Sequence, residues 1–578
     1  MSKKIRMEKI SLKTEFEKAL SAESTPFSEY PRPQLVRDNW MCLNGKWSFS
    51  LIKNDEKRYI GDITVPFPPE SRISGIERQI EDDEVMLYER SFDLSDDLNG
   101  KRVLLHFGAV DQYAKVYLNG EFAGENEGGY LPFSFDVTEK IKYGENLLVV
   151  EAKDALDIEL PYGKQRKDRG GMWYTPVSGI WQSVWLEIVP EKYVKKIKIN
   201  TTLDTVSFEV VGGVDEKVIS LKTEKGIEKY SFCGEKFELK IEGPHLWTPE
   251  DPYLYEFELI SGEDRVKSYF GLRTVSIKEI SGASYICLND KPYFFHGLLD
   301  QGYFSDGIYT PASEEGYRND ILKMKSCGFN MLRKHIKTEP DIFYYYCDKY
   351  GMIVFQDMIN SGRYSFIIDT ALPTVLLKKG ISHRASRKRK QVFFETSSGI
   401  IEYLYNHPSV CYYTIFNEGW GQFSSSECYK YFKAFDPTRI YDTASGWFKV
   451  KESDVESEHV YFKPIKLAWN KKKPMVLSEF GGYSCKIQEH SFNLDKTYGY
   501  KFFEDISDFR NALSALYIDE VLPAVKNGLS GAVLTQVSDV EDETNGLLTY
   551  DRCVLKVDRS EMKEISKKLF EEFYKSIE

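Results

Sequence analysis

Two glutamates stand out by their surroundings. Glu418 follows the run Tyr412-Tyr413-Thr414-Ile415-Phe416 and Asn417, and precedes Gly419, Trp420 and Gly421. Glu479 follows Met475-Val476-Leu477-Ser478 and precedes Phe480, Gly481 and Gly482. A short apolar run ending in an ionisable residue reads as a buried strand that delivers this residue to its tip. Two carboxylates facing one cleft can cleave a glycosidic bond. One protonates the leaving oxygen and the other attacks the anomeric carbon. The acid needs a raised pKa, which apolar neighbours such as Phe416 and Trp420 would supply by desolvation. The attacking group must stay ionised and needs donors nearby. Asn417 is placed to bond a sugar hydroxyl. Asn126-Glu127 repeats the dipeptide, but it lies in the polar stretch 124–129 and reads as structural.

Such residues need a scaffold that brings strand tips together. From about residue 285 strands and helices alternate. Strands are expected at 293–298, 329–332, 352–355, 410–416, 440–443, 460–462, 475–478 and 532–535. Helices are expected at 317–327, 339–350 and 398–405. Eight βα units in about 290 residues predict a TIM barrel, whose active site lies at the C-terminal ends of the strands. An open doubly wound sheet would want a Gly-rich phosphate loop, and neither GxGxxG nor GxxxxGK[ST] occurs here. In the barrel reading Glu418 ends strand 4 and Glu479 ends strand 7, across the mouth from each other. Arg333 and His335 close strand 2, His459 and Tyr461 sit at strand 6, and Asp300 and Asp357 end strands 1 and 3. The basic run 383–390 lies in a long connection and reads as a solvated loop or helix face.

The first half of the chain has a different texture. From about 40 to 190 short alternating strands recur, with Asn119-Gly120 as a hairpin signal, because both central residues of that turn need φ > 0. This predicts a β-sandwich. From 191 to 279 a further half-dozen strands predict a smaller immunoglobulin-like sandwich.

Composition narrows the function classes. The chain has 578 residues, 42% hydrophobic and 29% charged, which excludes a wholly disordered protein. Its net charge of −12 argues against nucleic acid as a partner. No stretch approaches the roughly 20 apolar residues that span a membrane. The charged first 20 residues lack the apolar core of a signal peptide. Nine cysteines without a CxxC pair read as reduced thiols in a cytoplasmic protein, not as a disulfide or zinc framework. No ligand cluster compels a metal, and the chemistry needs no cofactor.

With these motifs in hand, the chain resembles glycoside hydrolase family 2. The resemblance runs from about residue 30 to the end: 30–190 is similar to its sugar-binding jelly roll, 191–279 to its immunoglobulin-like domain and 280–578 to its TIM-barrel catalytic domain, after an N-terminal extension at 1–29. It rests on Tyr30-Pro-Arg-Pro-Gln34, Leu43-Asn-Gly-Lys-Trp47, Trp173-Tyr-Thr-Pro-Val-Ser-Gly-Ile-Trp181, Phe270-Gly-Leu-Arg273, Phe416-Asn-Glu-Gly-Trp-Gly-Gln-Phe423, Ser478-Glu-Phe-Gly481 and Asn545-Gly-Leu-Leu-Thr-Tyr-Asp-Arg552. It implies that Glu418 is the acid/base and Glu479 the nucleophile of a retaining, exo-acting O-glycosyl hydrolase on a carbohydrate substrate, β-galactosidase being the leading label. A homo-oligomer is compatible with it.

Three departures bear on the site. The family's Arg-x-x-His is here Arg333-Lys334-His335, which puts Ile336 in the expected His place. The Asn-x-Lys pair of glucuronide-cleaving members is here Glu543-Thr544-Asn545, and a glutamate would repel a uronate. The Trp that usually ends strand 8 is absent from Gln536-Val537-Ser538-Asp539, so Trp420 or Trp447 is expected to stand in. The alternatives are a β-mannoside or α-arabinoside as substrate, less readily a β-glucuronide, and a non-catalytic carbohydrate-binding protein.

Overall fold

The computed structural model describes residues 12–20, 24–96, 98–223, 225–365, 367, 369, 384–418, 420–448, 450–468 and 470–577. The first domain is a sandwich of a four-stranded and a six-stranded antiparallel sheet. Strand Gly144–Lys153 lies between Val85–Leu94 and Tyr113–Leu118. It buries Leu148, Val150 and Ala152 while Leu147 and Lys153 face out, the period-2 alternation of a half-buried strand. Trp47, Phe49, Tyr88 and Val116 fill the core between the sheets. The hairpin from Tyr113–Leu118 to Glu121–Glu127 turns at Asn119 (φ 54°) and Gly120 (φ 83°), as its dipeptide requires.

A second sandwich packs Phe208, Phe257, Leu259 and Phe270 between three- and four-stranded sheets. Arg37 joins the two sandwiches, with Glu187 and Asp264 each at 2.9 Å. Arg273 ties the second sandwich to the third domain, donating to the carbonyls of Pro408 (2.8 Å) and Val410 (2.9 Å). It thereby props the root of the strand that leads to Glu418.

That third domain is an eight-stranded parallel barrel. Its strands are Phe295–Asp300, Met331–Lys334, Ile353–Asp357, Val410–Thr414, Ile440–Asp442, Glu456–Val460, Met475–Gly481 and Leu529–Thr535, called barrel strands 1 to 8 below. Strand 8 pairs with strands 1 and 7, and among the described residues strands 5 and 6 do not pair. Helices Glu315–Ser326, Asp341–Tyr350, Arg387–Leu404, Ser425–Phe435, Ile506–Leu516 and Arg559–Ile577 follow strands 1, 2, 3, 4, 7 and 8. Among the described residues no helix follows strands 5 and 6, so the expectation of eight regular βα units is corrected. Gly446 at φ 94° interrupts the first of those connections, and Pro464 and Pro474 bracket the second.

Strand 6 lies earlier than the expected 460–462, because Glu456-Ser457-Glu458 hides the signal. The helix expected at 398–405 begins at Arg387, with Ser386 capping it by accepting from the Arg389 amide (2.9 Å). The basic run is largely the solvated helix face expected, Arg384, Arg387 and Lys388 being exposed, with Arg389 the exception. Arg389 is buried against Ser361 and the Gly421 carbonyl, and Lys388 pairs with Glu127 of the sandwich at 3.0 Å. His383 lies outside the described residues.

Residues 154–178 leave the first sandwich and reach the barrel mouth. Within this loop the Tyr162 and Gly163 amides donate to the Asn360 carbonyl (3.1 and 3.3 Å), and Tyr162 Oη donates to the Gly362 carbonyl (2.8 Å). The Thr175 amide donates to Glu541 (3.0 Å), and Tyr174 Oη donates to Glu543.

Candidate active site

The two glutamates come from barrel strands 4 and 7 and meet over one ring. His459 Nδ1 lies 2.7 Å from Glu418 Oε1 and 3.5 Å from Glu479 Oε2. One oxygen of each glutamate and the ring nitrogen all fall within 4.8 Å of one another. Both carboxylates are largely buried, Glu479 at 4% exposure. Glu418 sits just past the strand at φ 53°, in the left-handed region that a non-glycine residue adopts at a cost. Its amide donates to the Ser445 carbonyl (2.9 Å), which pins this conformation.

Arg333 is the hub. From strand 2 its guanidinium donates to Asp357 (3.0 Å), Glu479 Oε1 (3.1 Å), the Ser478 carbonyl (3.0 Å) and Asn417 Oδ1 (2.8 Å). A guanidinium can only donate. It faces His459 Nε2 at 3.4 Å, so that nitrogen is the acceptor and Nδ1 carries the proton toward Glu418. Ser445 Oγ completes the Nε2 contact at 3.1 Å. Gly446 leaves room for the ring, since a Cβ there would meet His459 Cγ at 2.7 Å.

Burial opposes the charge on Glu479, but His459, Arg333 and His335 together with the Tyr461 hydrogen bond outweigh it and hold its carboxyl below the ordinary range. Tyr461 Oη donates to Glu479 Oε2 at 2.5 Å and lies 2.9 Å from Thr535 Oγ1 on strand 8. Glu418 meets the same His459 ring. Its Oε1 is taken by the histidine, and Oε2 makes no contact of this kind among the described residues.

The remaining expected residues divide. His335 is buried with Nδ1 2.7 Å from Asp357 Oδ2. The spacing of Arg333 and His335 explains this: residues two apart on a strand share a face, and Lys334 between them turns the other way. Ile336 is buried at φ 51°, so the short spacing brings His335 itself into the network. Asp357 binds both Arg333 and His335; burial opposes its charge, but the Arg333 guanidinium and the His335 hydrogen bond hold its carboxyl below the ordinary range. Asp300 is not brought to the carboxylates. It pairs with Lys334 (2.8 Å) and caps its own loop by accepting from the Gly302 amide (2.9 Å).

Trp420 is 4% exposed, donates to the Gly362 carbonyl (2.9 Å), and packs edge-on against Trp173 at 5.0 Å. It is a wall between the sandwich loop and the barrel, not an open platform. Trp447 is half-buried, its ring centroid 6.2 Å from that of His459. Where strand 8 lacks its aromatic, Gln536 Nε2 donates to Asn545 Oδ1 (2.7 Å).

Several site residues escaped the sequence reading. Tyr500 stacks on Tyr461 at 3.8 Å and 9°. Ser445, Ser478 and Thr535 support the ring and the phenol. Glu543, which the sequence reading named only as a departure from Asn-x-Lys, is buried, held by Tyr174 Oη and by Asn545 Nδ2 at 2.9 Å, and burial raises its carboxyl above the ordinary range. The only available signals were the Thr497-Tyr498-Gly499-Tyr500 alternation after strand 7 and the aromatic density of 173–181. Glu418, His459 and Glu479 could offer ligands to a cation. The guanidinium already lodged against Glu479 would repel one. A second such set joins His490, from the connection between strands 7 and 8, to Asp551 and Cys553 after strand 8.

Three family models match this chain. Residues 71–198 match the model described as "Glycosyl hydrolase 2 galactose-binding domain-like", 184–273 "Glycosyl hydrolases family 2", and 279–556 "Glycosyl hydrolases family 2, TIM barrel domain". A β-galactosidase of Thermoanaerobacter pseudethanolicus is 30% identical over 300 residues, 47% of this chain and 39% of that protein. A β-glucuronidase of Bacteroides fragilis is 24% identical over 427 residues, 65% of this chain and 56% of that protein. The chain thus spans 39–56% of the length of these curated relatives. Among solved structures, a β-D-glucuronidase of Dictyoglomus thermophilum superposes with a TM-score of 0.72 at 18% identity, covering 93% of this chain and 98% of that one. A β-galacturonidase of Eisenbergiella tayi bound to galacturonate gives 0.68 at 19%, covering 93% and 99%.

Proposed function

The chain belongs to glycosyl hydrolase family 2, and from that premise we propose that it is a retaining, exo-acting β-glycosidase with Glu479 as nucleophile and Glu418 as acid/base. One observation carries the reading: oxygens of the two glutamates lie within 4.8 Å of each other, with His459 between them. Carboxyl groups about 5–5.5 Å apart belong to the double-displacement route, and a wider gap of about 6.5–9.5 Å to the single one.

In the first step Glu479, kept ionised by Arg333 and Tyr461, attacks the anomeric carbon. Glu418 delivers a proton from Oε2 to the leaving oxygen, while the His459 proton on its Oε1 orients the carboxyl. In the second step Glu418 takes a proton from water, which attacks the same carbon and frees Glu479. Asn417, fixed by Arg333, offers its amide NH2 to a glycone hydroxyl.

A neutral sugar, β-galactoside first, is the proposed glycone. Among its relatives is the β-galactosidase of Thermoanaerobacter pseudethanolicus. Asn545, standing where glucuronide-cleaving members carry a lysine, and Glu543, standing at the asparagine of that pair, support a neutral sugar over a uronate.

The test is a panel of aryl β-galactoside, β-glucoside, β-mannoside, β-glucuronide, β-xyloside and α-arabinoside, assayed with the wild type, Glu418→Gln and Glu479→Gln. A single hydrolysed glycoside, with its rate lowered at least about 10²-fold by each substitution, is the expected result. A 2-deoxy-2-fluoro analogue of that glycoside should leave its sugar on the peptide containing Glu479. A label elsewhere, or two variants as active as the wild type, would overturn the assignment.

A further inference from the structure

The loop 154–178 brings a cation to the barrel mouth that no step above uses. Lys164 is 8% exposed. Its ammonium lies 5.6 Å from the Trp173 ring centroid, and among the described residues it makes no side-chain hydrogen bond or ion pair. The side chain is thus largely covered while its ammonium is left without a protein acceptor and open to a ligand hydroxyl.

Its position is fixed from both sides. Next to it, Gly163 packs so tightly that a Cβ would lie 2.9 Å from the Ile336 carbonyl, one residue beyond His335. On the other side the Lys164 carbonyl accepts from the Tyr174 amide (3.0 Å), and the Tyr174 phenol grips Glu543. Lys164 therefore stands between the strand 2 tip with His335 and the strand 8 connection with Glu543. Burial raises the Glu543 carboxyl and lowers the His335 ring, and the Lys164 charge reaches both, opposing the first shift and adding to the second. Trp173 beneath it packs edge-on to Trp420, two residues from Glu418.

Building on the function just proposed, we infer that Lys164 and Glu543 form the glycone clamp of this site, the ammonium donating to, and the carboxyl accepting from, hydroxyls of a neutral hexopyranoside. One partner comes from each domain, so specificity is shared between sandwich and barrel. A uronate would gain the ammonium and meet the carboxyl, so the two effects oppose each other. A neutral diol satisfies both partners.

The experiment is a double-mutant cycle of Lys164→Met, Glu543→Gln and both together. Aryl β-galactoside and β-glucuronide are the substrate pair, with kcat and KM measured separately and melting temperature as folding control. Lys164→Met should lower kcat/KM on the neutral glycoside by about 10- to 10²-fold, the range for a lost charge-assisted hydrogen bond. Glu543→Gln should raise the uronide-to-neutral ratio at least about 10-fold by leaving the ammonium free for a carboxylate, and adding Lys164→Met should cancel that gain. Lys164→Met within about 3-fold of the wild type on both substrates would overturn the clamp, being under 1 kcal/mol. So would a loss confined to the uronide.

Failure of the clamp is separable from failure of the active site, because Glu479→Gln is run alongside. Activity that survives Glu479→Gln sinks the proposed function, whatever Lys164 does. If the wild type hydrolyses neither substrate, galactose is titrated calorimetrically into Glu479→Gln and into Glu479→Gln with Lys164→Met. At least about tenfold weaker binding in the second supports the clamp. Equal binding, or none, overturns it.

Discussion

Tyr461 holds Glu479 by a 2.5 Å hydrogen bond to Oε2, while Arg333 holds the other oxygen at 3.1 Å. The two donors fix the carboxylate from opposite sides, and they enter from strands 2 and 6. The rotamer of the attacking group is thus set before substrate arrives, which is worth more in a dry site than in water. Tyr500, stacked on Tyr461, and Thr535, on its hydroxyl, position the phenol in turn.

Removing that phenol should therefore act on charge as well as on geometry. Tyr461→Phe is expected to lower kcat about 10- to 10²-fold, the range for a hydrogen bond to a charged group. The hydrogen bond is one of the contacts that keep the Glu479 carboxyl low. Its loss raises that pKa, so the acid limb of the kcat/KM–pH profile should move to higher pH. A profile unchanged in position with a reduced plateau would mean that Tyr461 only shapes the pocket.

The acid/base should be sensitive to a single methyl group outside the reacting atoms. Gly446 lies against the face of His459, with 2.7 Å from a built Cβ to both Cγ and Nδ1. It also adopts φ 94°, which an alanine resists. Gly446→Ala should push the ring off Glu418 and lower kcat/KM by about 10²-fold, as expected for misplacement near 1 Å. An activated aryl leaving group, which needs no proton, should recover much of the loss for the first step. Equal losses on activated and unactivated substrates would show that His459 does not act through Glu418.

Much of this site was legible because strand tips in a barrel are local features. An apolar run followed at once by a glutamate announces Glu418 and Glu479, and the i, i+2 spacing of Arg333 and His335 announces a shared face. The partners that reach the site through loops were not legible. Lys164 lies in another domain and outside any periodic segment, and Glu543, 379 positions on, showed only as a departure from the Asn-x-Lys pattern and not as a neighbour of that loop. Strand 6 was displaced because its first residues, Glu456 and Glu458, are polar. Asp300 looked like a site residue because it ends a strand, yet Lys334, which faces away from the mouth, claims it. Strand ends tell where a side chain begins and not which neighbour it meets.

The loop that carries Lys164 is anchored by acids, which ties its stability to pH. Ser178, at the end of the loop, donates to Glu70 (2.8 Å) and Asp154 (3.3 Å), and Gln165 donates to Asp111 (3.2 Å). All three carboxyls are buried. Burial pushes Glu70 up to about 8 and raises Asp154 and Asp111 as well. A group whose folded pKa is raised binds its proton more tightly when folded. Its stabilisation is complete below the ordinary carboxylate range and is lost as pH climbs through the folded value. Between pH 5 and pH 8.5 the first sandwich should thus lose stability on account of this cluster. Glu70→Gln, already neutral, removes one of these raised carboxyls from the balance. Its melting temperature should fall less than that of the wild type over this window, by at least about 3 °C, the change expected for about 1 kcal/mol in a domain of this size. The matching measurement is a thermal melt of both proteins at half-unit pH steps. Parallel curves would mean that Glu70 is ionised in the folded protein and that the loop is held by charge rather than by shared protons.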